Sequence, residues 1–218
     1  MILVFDLDDT LYPEITFVES GFRAVAKYLH TTYRVSAEDS MGVMLAELEA
    51  NGRGKVFDRA LEKWNLSTKE RLGQCLQVYR SHKPDISLFD DARKVLTQCK
   101  NRAKYLVTDG NKHVQHNKVT ALDLYHEFNK VFITRRYGID REKPNPYCFL
   151  KICDLEKVKP EDVVYIGDNP KKDFVEIKKL GFKTVRVRRG MFKDYRLTAE
   201  YEADKLVESL TEIDFEKL

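Results

Sequence analysis

The first ten residues constrain the fold most, because an apolar run leads directly into a cluster of acids. The run 2–5 is Ile-Leu-Val-Phe, and Asp6, Asp8 and Asp9 follow it. Four consecutive apolar residues are typical of a strand buried on both faces, as in a parallel sheet covered by helices. Three carboxylates at the end of such a strand repel one another and resist desolvation. They therefore predict a site that holds a positive group, such as a metal ion.

Three later segments add to this signal, and two of them are again apolar runs that end in small or acidic residues. One apolar run ends at Thr108, another ends at Gly167 and is followed by Asp168, and a Lys-Pro-Asn-Pro stretch begins at Lys143. In an open parallel sheet, ligands bind outside the carboxyl ends of the strands. We therefore expect these side chains to approach Asp6.

The order of the patterns predicts an α/β protein with a doubly wound, Rossmann-like parallel sheet. Strands are predicted over residues 2–7, 104–108, 130–134, 163–167 and 183–187. Helices are predicted over residues 90–100, 112–122, 145–153 and 170–180, with an acidic closing helix over 203–218.

About a hundred residues separate the first two strands, far more than a simple crossover needs, so a second domain is inserted there. The inserted segment has amphipathic helical patterns throughout, with breaks at residues 51–54 and 67–68. The pattern predicts a four-helix domain over residues 15–83 and a sheet domain formed by residues 1–14 and 84–218.

Composition excludes some classes of protein. The 38 basic and 35 acidic residues nearly balance, so the net charge of +3 does not indicate a nucleic-acid partner. Asp6 interrupts the N-terminal apolar run, which argues against a signal peptide or membrane anchor, and no CxxC pair is present. We therefore expect a cytoplasmic protein. We interpret the arginines at positions 186, 188 and 189 as solvated or helix-end charges. The sequence leaves the oligomeric state open.

The four motifs together resemble those of the haloacid dehalogenase-like (HAD) superfamily. The family pattern Asp-x-Asp-x-Thr matches residues 6–10, and its Ser/Thr and Lys motifs match Thr108 and Lys143. The pattern Gly-Asp-x4-Asp matches residues 167–173. Four short motifs in the family's order make a chance match improbable. In this family a helical insertion after the first motif is a C1-type cap that closes over the active site.

The resemblance implies a role for each motif in phosphoryl transfer. Asp6 is expected to attack phosphorus and form an aspartyl-phosphate, and Asp8 to serve as general acid and then as general base. Thr10 is expected to orient Asp8. The Thr108 hydroxyl and the Asp109 amide are expected to hold phosphate oxygens, with Lys143 neutralising charge.

The resemblance also implies a magnesium site. The expected ligands are oxygens, which Mg²⁺ prefers, and no thiolate or imidazole stands at the matching positions. Asp6 and Asp168 should bind through carboxylates and Asp8 through its backbone carbonyl. Asp173 is expected to bind directly or through water.

The acid at position 8 separates reaction types within the family. Dehalogenases lack it because a halide needs no proton on departure, whereas an alkoxide does. The resemblance therefore favours a phosphatase acting on a small phosphorylated metabolite. A sugar-phosphate phosphomutase and a non-catalytic regulatory protein remain alternatives.

Residues outside the four motifs bear on the class of substrate. The stretch from Asp109 through Gln115 and Lys118 resembles the branch containing pyrimidine 5'-nucleotidases and sugar-phosphate phosphatases. In the insertion, Arg53 and Lys55 lie between helices, where they either bind a substrate's polar head or belong to a simple connecting loop.

Overall fold

The computed structural model describes residues 1–218, and the chain divides into two compact units. The first comprises residues 1–14 and 87–218, and the second residues 15–86. Residues 84–86, which the sequence pattern assigned to the sheet domain, belong to the second unit. No helix combines the length and the apolar character that a membrane crossing requires.

The first unit is built on a six-stranded parallel sheet in the order β3-β2-β1-β4-β5-β6. Its strands are β1 (Ile2–Phe5), β2 (Lys104–Thr108), β3 (Lys130–Ile133), β4 (Val163–Gly167), β5 (Lys183–Val187) and β6 (Lys205–Val207). The chain builds outward from β1 in one direction and then returns to build in the other. The reversal point therefore lies at β1, where the acidic segment begins. The predicted α/β class and parallel sheet are confirmed.

Helices cover this sheet and the second unit is all helical. In chain order they are α1 (Glu14–Tyr33), α2 (Ala37–Asn51), α3 (Val56–Lys63), α4 (Lys69–Ser81), α5 (Asp90–Gln98), α6 (Lys112–Ala121), α7 (Tyr147–Glu156) and α8 (Val175–Lys179). Local sequence explains several starts. Ser36, Thr68 and Asn111 accept hydrogen bonds from the first-turn amides of α2, α4 and α6.

One face of the sheet packs on α7 and α8. Alternate residues of β1, β2 and β4 point to that face, as the two-residue period of a strand requires. Tyr165 of β4 stacks edge-to-face on Phe149 of α7, with ring centroids 4.8 Å apart. This rigid layer positions the carboxyl ends of the central strands.

The second unit has its own apolar core. Phe22 of α1 packs on Phe57 of α3 and on Tyr79 of α4, and Met44 of α2 is fully buried. A short 3-10 helix, Gly52–Lys55, joins α2 to α3.

Two predictions about elements are wrong. The closing helix over 203–218 is instead β6 with a short 3-10 helix at Leu210–Glu212. The carboxylate of Asp204 accepts hydrogen bonds from the Thr184 amide and hydroxyl, which places the next residues against the open edge of β5. The helix predicted over 170–180 forms only at α8, because Asp173 accepts the Asn169 amide and holds the preceding residues in a turn.

Candidate active site

The end of β1 and the segments after β3 and β4 converge on a buried ammonium group. Lys143 Nζ lies 2.8 Å from Asp6 Oδ1 and 2.8 Å from Asp173 Oδ1, and it donates to the Tyr165 hydroxyl at 2.8 Å. All four side chains are buried. Lys143 is thus an internal countercharge, and these carboxylates raise its pKa well above the ordinary value even though burial acts to lower it.

Carboxylates outnumber this ammonium. One oxygen from each of Asp6, Asp168 and Asp173 lies within 4.8 Å of the others. Burial, followed by repulsion from Asp173, raises the pKa of Asp6 to about 7 despite Lys143, and the same two causes raise the pKa of Asp168 well above its ordinary value. The surplus negative charge and the all-oxygen donor set suit a hard divalent cation.

Asp8 has a different environment. Its Oδ1 accepts hydrogen bonds from Tyr12 at 2.5 Å and from Lys118 at 2.6 Å, and its Oδ2 accepts one from Gln115 at 2.9 Å. Burial acts to raise the pKa of Asp8, but Lys118 and the three hydrogen bonds outweigh burial and lower it. The site therefore holds two carboxylates, Asp6 and Asp8, with pKa values displaced in opposite directions.

Thr108 lies at the end of β2, where its hydroxyl oxygen accepts a hydrogen bond from Gln115 at 2.6 Å. The carboxylate of Asp109 accepts hydrogen bonds from the Lys143 amide at 3.1 Å, the Thr134 hydroxyl at 2.8 Å and Lys172 Nζ at 2.8 Å. Asp109 thus joins the segments after β2, β3 and β4. Burial acts to raise the pKa of Asp109, but Lys143 and Lys172 lower it.

These side chains line one pocket of the first unit. Its lining includes Asp6, Asp8, Asp9, Glu14, Thr108, Asp109, Asp168, Asn169, Lys172, Met191 and Phe192. Asp9 closes one side, since it accepts hydrogen bonds from the Glu14 amide at 2.9 Å and the Met191 amide at 3.3 Å. Gly190 is required there, because a Cβ on it would lie 2.2 Å from Asp9 Cγ. Lys143 and Asp173 are not among the lining residues, and Lys143 is linked to the pocket by its hydrogen bond to Asp6.

The structure differs from some sequence expectations. The Thr10 hydroxyl is buried without a hydrogen-bond partner, and Tyr12, Gln115 and Lys118 orient Asp8 instead. Arg186 is not solvated. It is fully buried, pairs with Glu202 at 2.7 Å and donates to the Asp168 carbonyl oxygen at 3.1 Å. Arg189 pairs with Asp91 and Arg188 with Glu208.

Some residues of the site were not predicted from the sequence. Lys172 directly precedes Asp173 of the fourth motif, but the motif itself does not specify a lysine at that position. Tyr165 is an alternate residue of β4, and only its distance to Lys143 distinguishes it from an ordinary core tyrosine. Arg53 and Lys55 lie exposed in the second unit, on the 3-10 helix after α2.

Comparison with known proteins gives one consistent result. The family model described as haloacid dehalogenase-like hydrolase matches residues 3–187. The chain is 30% identical to a glyceraldehyde 3-phosphate phosphatase of Methanocaldococcus jannaschii, over 97% of this chain and 94% of the relative. It is 29% identical to a protein of the same name from Methanopyrus kandleri, over 88% of this chain and 85% of the relative. A solved HAD phosphatase from Thermococcus onnurineus has the same fold, with a TM-score of 0.61 and 22% identity over 97% of this chain and 94% of that one.

Proposed function

The chain belongs to the haloacid dehalogenase-like hydrolase family, and we propose that it is a magnesium-dependent phosphatase that hydrolyses a small phosphomonoester through an aspartyl-phosphate. The observation that carries this proposal is the convergence of Asp6, Lys143, Asp168 and Asp173 beside a pocket that Asp8 and Thr108 also line. A binding protein has no need of so many buried charges, which are costly to desolvate.

Asp6 is the proposed nucleophile. Lys143 donates a hydrogen bond to Asp6 Oδ1, so Asp6 Oδ2 is the oxygen that attacks phosphorus. The bond between phosphorus and the leaving oxygen breaks in the same step. Lys143 holds the carboxylate in one orientation and disperses its charge. Water later attacks the phosphorus of the aspartyl-phosphate, which releases inorganic phosphate and regenerates Asp6.

Asp8 is the proposed proton carrier. It gives a proton to the departing alkoxide and then accepts one from the attacking water, so that protons balance over the cycle. The hydrogen bonds that lower the pKa of Asp8 favour the ionised form, which the second step requires. A phosphate dianion bound beside Asp8 repels that charge and raises the pKa, which favours the protonated form for the first step.

Mg²⁺ is the proposed cofactor, held by the carboxylates of Asp6 and Asp168, the backbone carbonyl of Asp8 and, directly or through water, Asp173. When bound, it neutralises charge on the phosphoryl oxygens. The Thr108 hydroxyl and the Asp109 amide are proposed to hold phosphate oxygens as well. The Asp109 carboxylate is kept neutralised by Lys172, so that it does not repel the substrate.

The proposed substrates are sugar phosphates or nucleotides, and the names of the relatives favour a small sugar phosphate. The second unit is proposed to act as a cap that excludes water during chemistry, with Arg53 and Lys55 as specificity residues. A cytoplasmic location is part of the same proposal.

The proposal is tested by phosphate release from p-nitrophenyl phosphate and from a panel of nucleoside monophosphates, sugar phosphates and phosphorylated acids. We expect Mg²⁺-dependent release that EDTA stops, and a loss of at least about 1,000-fold in Asp6→Asn because the nucleophile is removed. The control is Asp154→Asn, which changes an exposed acid on α7. Equal turnover by Asp6→Asn, or no turnover of any ester by the wild type, would refute the proposal.

A further inference from the structure

Helix α6 directs two buried polar side chains towards the carboxylate of Asp8. Gln115 and Lys118 stand three residues apart, so they lie on one face of the helix. Both are almost fully buried, at 1% and 3% exposure. A buried lysine is costly unless its charge is compensated, so its position needs an explanation that ordinary helix packing does not provide.

The orientation of the Gln115 amide follows from its neighbours. An ionised carboxylate only accepts hydrogen bonds, so the amide nitrogen, and not its oxygen, must face Asp8 Oδ2 at 2.9 Å. The same nitrogen lies 2.6 Å from Thr108 Oγ1. The threonine oxygen therefore accepts a hydrogen bond from Gln115, and its own hydrogen is left for another acceptor. Because Thr108 lines the pocket, that hydrogen is available to an acceptor bound there.

Lys118 acts on the other oxygen of the carboxylate. Asp8 Oδ1 accepts from both Lys118 and Tyr12, whereas Oδ2 accepts only from Gln115. Each carboxylate oxygen offers about two lone-pair positions, so Oδ1 is saturated and Oδ2 keeps one position open. The contacts thus fix the rotation of the carboxylate and distinguish its two oxygens.

We propose that Gln115 and Lys118 are positioning residues for leaving-group departure: Lys118 fixes Asp8 so that Oδ2 carries the proton, and Gln115 directs the Thr108 hydroxyl towards the phosphate. In the first step the proton passes from Oδ2 to the leaving oxygen as its bond to phosphorus breaks. In the second, water returns a proton to Oδ2 as it attacks. This inference rests on the proposed phosphatase function, and it explains why the Gln-x-x-Lys spacing accompanies the second motif in this sequence.

Leaving groups of different basicity separate positioning from a merely structural role. An alkoxide needs a proton on departure, whereas p-nitrophenolate does not. In Lys118→Met we expect kcat for the alkyl monoester that the wild type turns over fastest in the panel to fall about 100-fold. The rate of the first p-nitrophenolate burst should change less than about threefold, since that step needs no proton donor.

The variants on α6 provide the controls. Lys118→Arg keeps a cation beside Asp8 and should recover part of the alkyl-ester rate. Lys112→Met removes an exposed lysine from the same helix and should leave both rates unchanged. Gln115→Met, which has a similar length but no donor, should raise KM for both esters, because the Thr108 hydroxyl is no longer directed towards the phosphate.

Three outcomes would overturn the inference. The first is an equal fall for both leaving groups in Lys118→Met, which indicates loss of structure. The second is an unchanged alkyl-ester rate in that variant. The third is a Gln115→Met protein with wild-type KM. Each of these outcomes is compared with a wild type that releases phosphate. If the wild type releases none, the phosphatase proposal itself has failed.

Discussion

At the residue scale, the site is a problem of charge balance. Three buried carboxylates lie near one ammonium group, Lys143, and burial followed by repulsion from Asp173 raises the pKa values of Asp6 and Asp168. Each raised pKa means that, in the absence of a cation, the folded protein stabilises the neutral form of that acid more than the unfolded chain does. A divalent ion removes this penalty, because it replaces protons as the source of positive charge. Metal binding and proton release are therefore linked.

This linkage predicts how Mg²⁺ affects stability at different pH. The pKa of Asp6 rises from 3.8 to about 7, so between those values the folded, metal-free protein holds more protons than the unfolded chain. Its free energy of unfolding therefore falls as pH rises through that window. Mg²⁺ competes with those protons, so the increase in Tm on adding Mg²⁺ to EDTA-treated protein should be larger at about pH 8 than at about pH 5.5.

Asp168→Asn supplies the control for this measurement. The amide removes one proposed carboxylate ligand, so the Mg²⁺-dependent increase in Tm should shrink at both pH values. An increase of equal size at both pH values in the wild type, or a full increase in Asp168→Asn, would contradict the assigned metal site.

At the scale of elements, close packing decides where small residues are required. In α1, a Cβ on Gly21 would lie 2.4 Å from the Tyr79 ring of α4, whereas a Cβ on Gly73 in α4 would meet nothing within 4 Å. Both glycines belong to helices of the second unit. The two positions therefore differ in packing, although they share residue type and secondary structure.

Alanine substitutions at the two positions should have opposite effects. Gly73→Ala should raise the free energy of unfolding by about 0.5–1 kcal/mol, because alanine loses less conformational entropy in a helix. Gly21→Ala should lower it by about 1–3 kcal/mol through overpacking. Trp64, the one tryptophan of the chain, lies in the second unit, so urea unfolding followed by its fluorescence reports on that unit. Effects of the same sign would contradict this account.

At the scale of the whole molecule, the chain consists of one unit inserted into another, and the two units have different proposed roles. The first unit holds the proposed chemistry, and its sheet is stabilised by contacts such as the Arg186–Glu202 pair. Arg186 also donates to carbonyl oxygens of Asp168 and Phe192, so it ties two pocket-lining residues to β5. The second unit has its own apolar core.

The proposed specificity role of Arg53 and Lys55 belongs to this scale. In Arg53→Ala/Lys55→Ala we expect KM to rise about tenfold for substrates with a second anionic group, since charged hydrogen bonds are lost. KM for p-nitrophenyl phosphate, which has no second anion, should stay within about twofold. The control is Lys27→Ala/Lys69→Ala, which removes two exposed lysines elsewhere in that unit. Unchanged preference across the panel would leave these residues as a connecting segment.

Most of the fold could be predicted because its signals are local. Buried parallel strands are continuous apolar runs, and helices begin at capping residues such as Thr68 and Asn111, so five of six strands and the helical insertion were predicted. The edge strand β6 was missed because it has three residues and depends on contacts of Asp204 with Thr184, which are distant in sequence. For the same reason, the burial of Arg186 has no local signal.

The sequence by itself determined which acids and which threonine lie at strand ends and which lysine follows β3, since motif order and strand order together direct Asp6, Thr108, Lys143 and Asp168 to one sheet edge. Only the tertiary structure decided the partners of each group. Which carboxylate faces Lys143, which faces Lys118, and which nitrogen faces Thr108 are set by contacts across helices and strands. Charge interactions and hydrogen bonds depend on distances of a few ångströms in space, whatever the separation of the residues along the chain. Residue order alone therefore does not specify which groups pair.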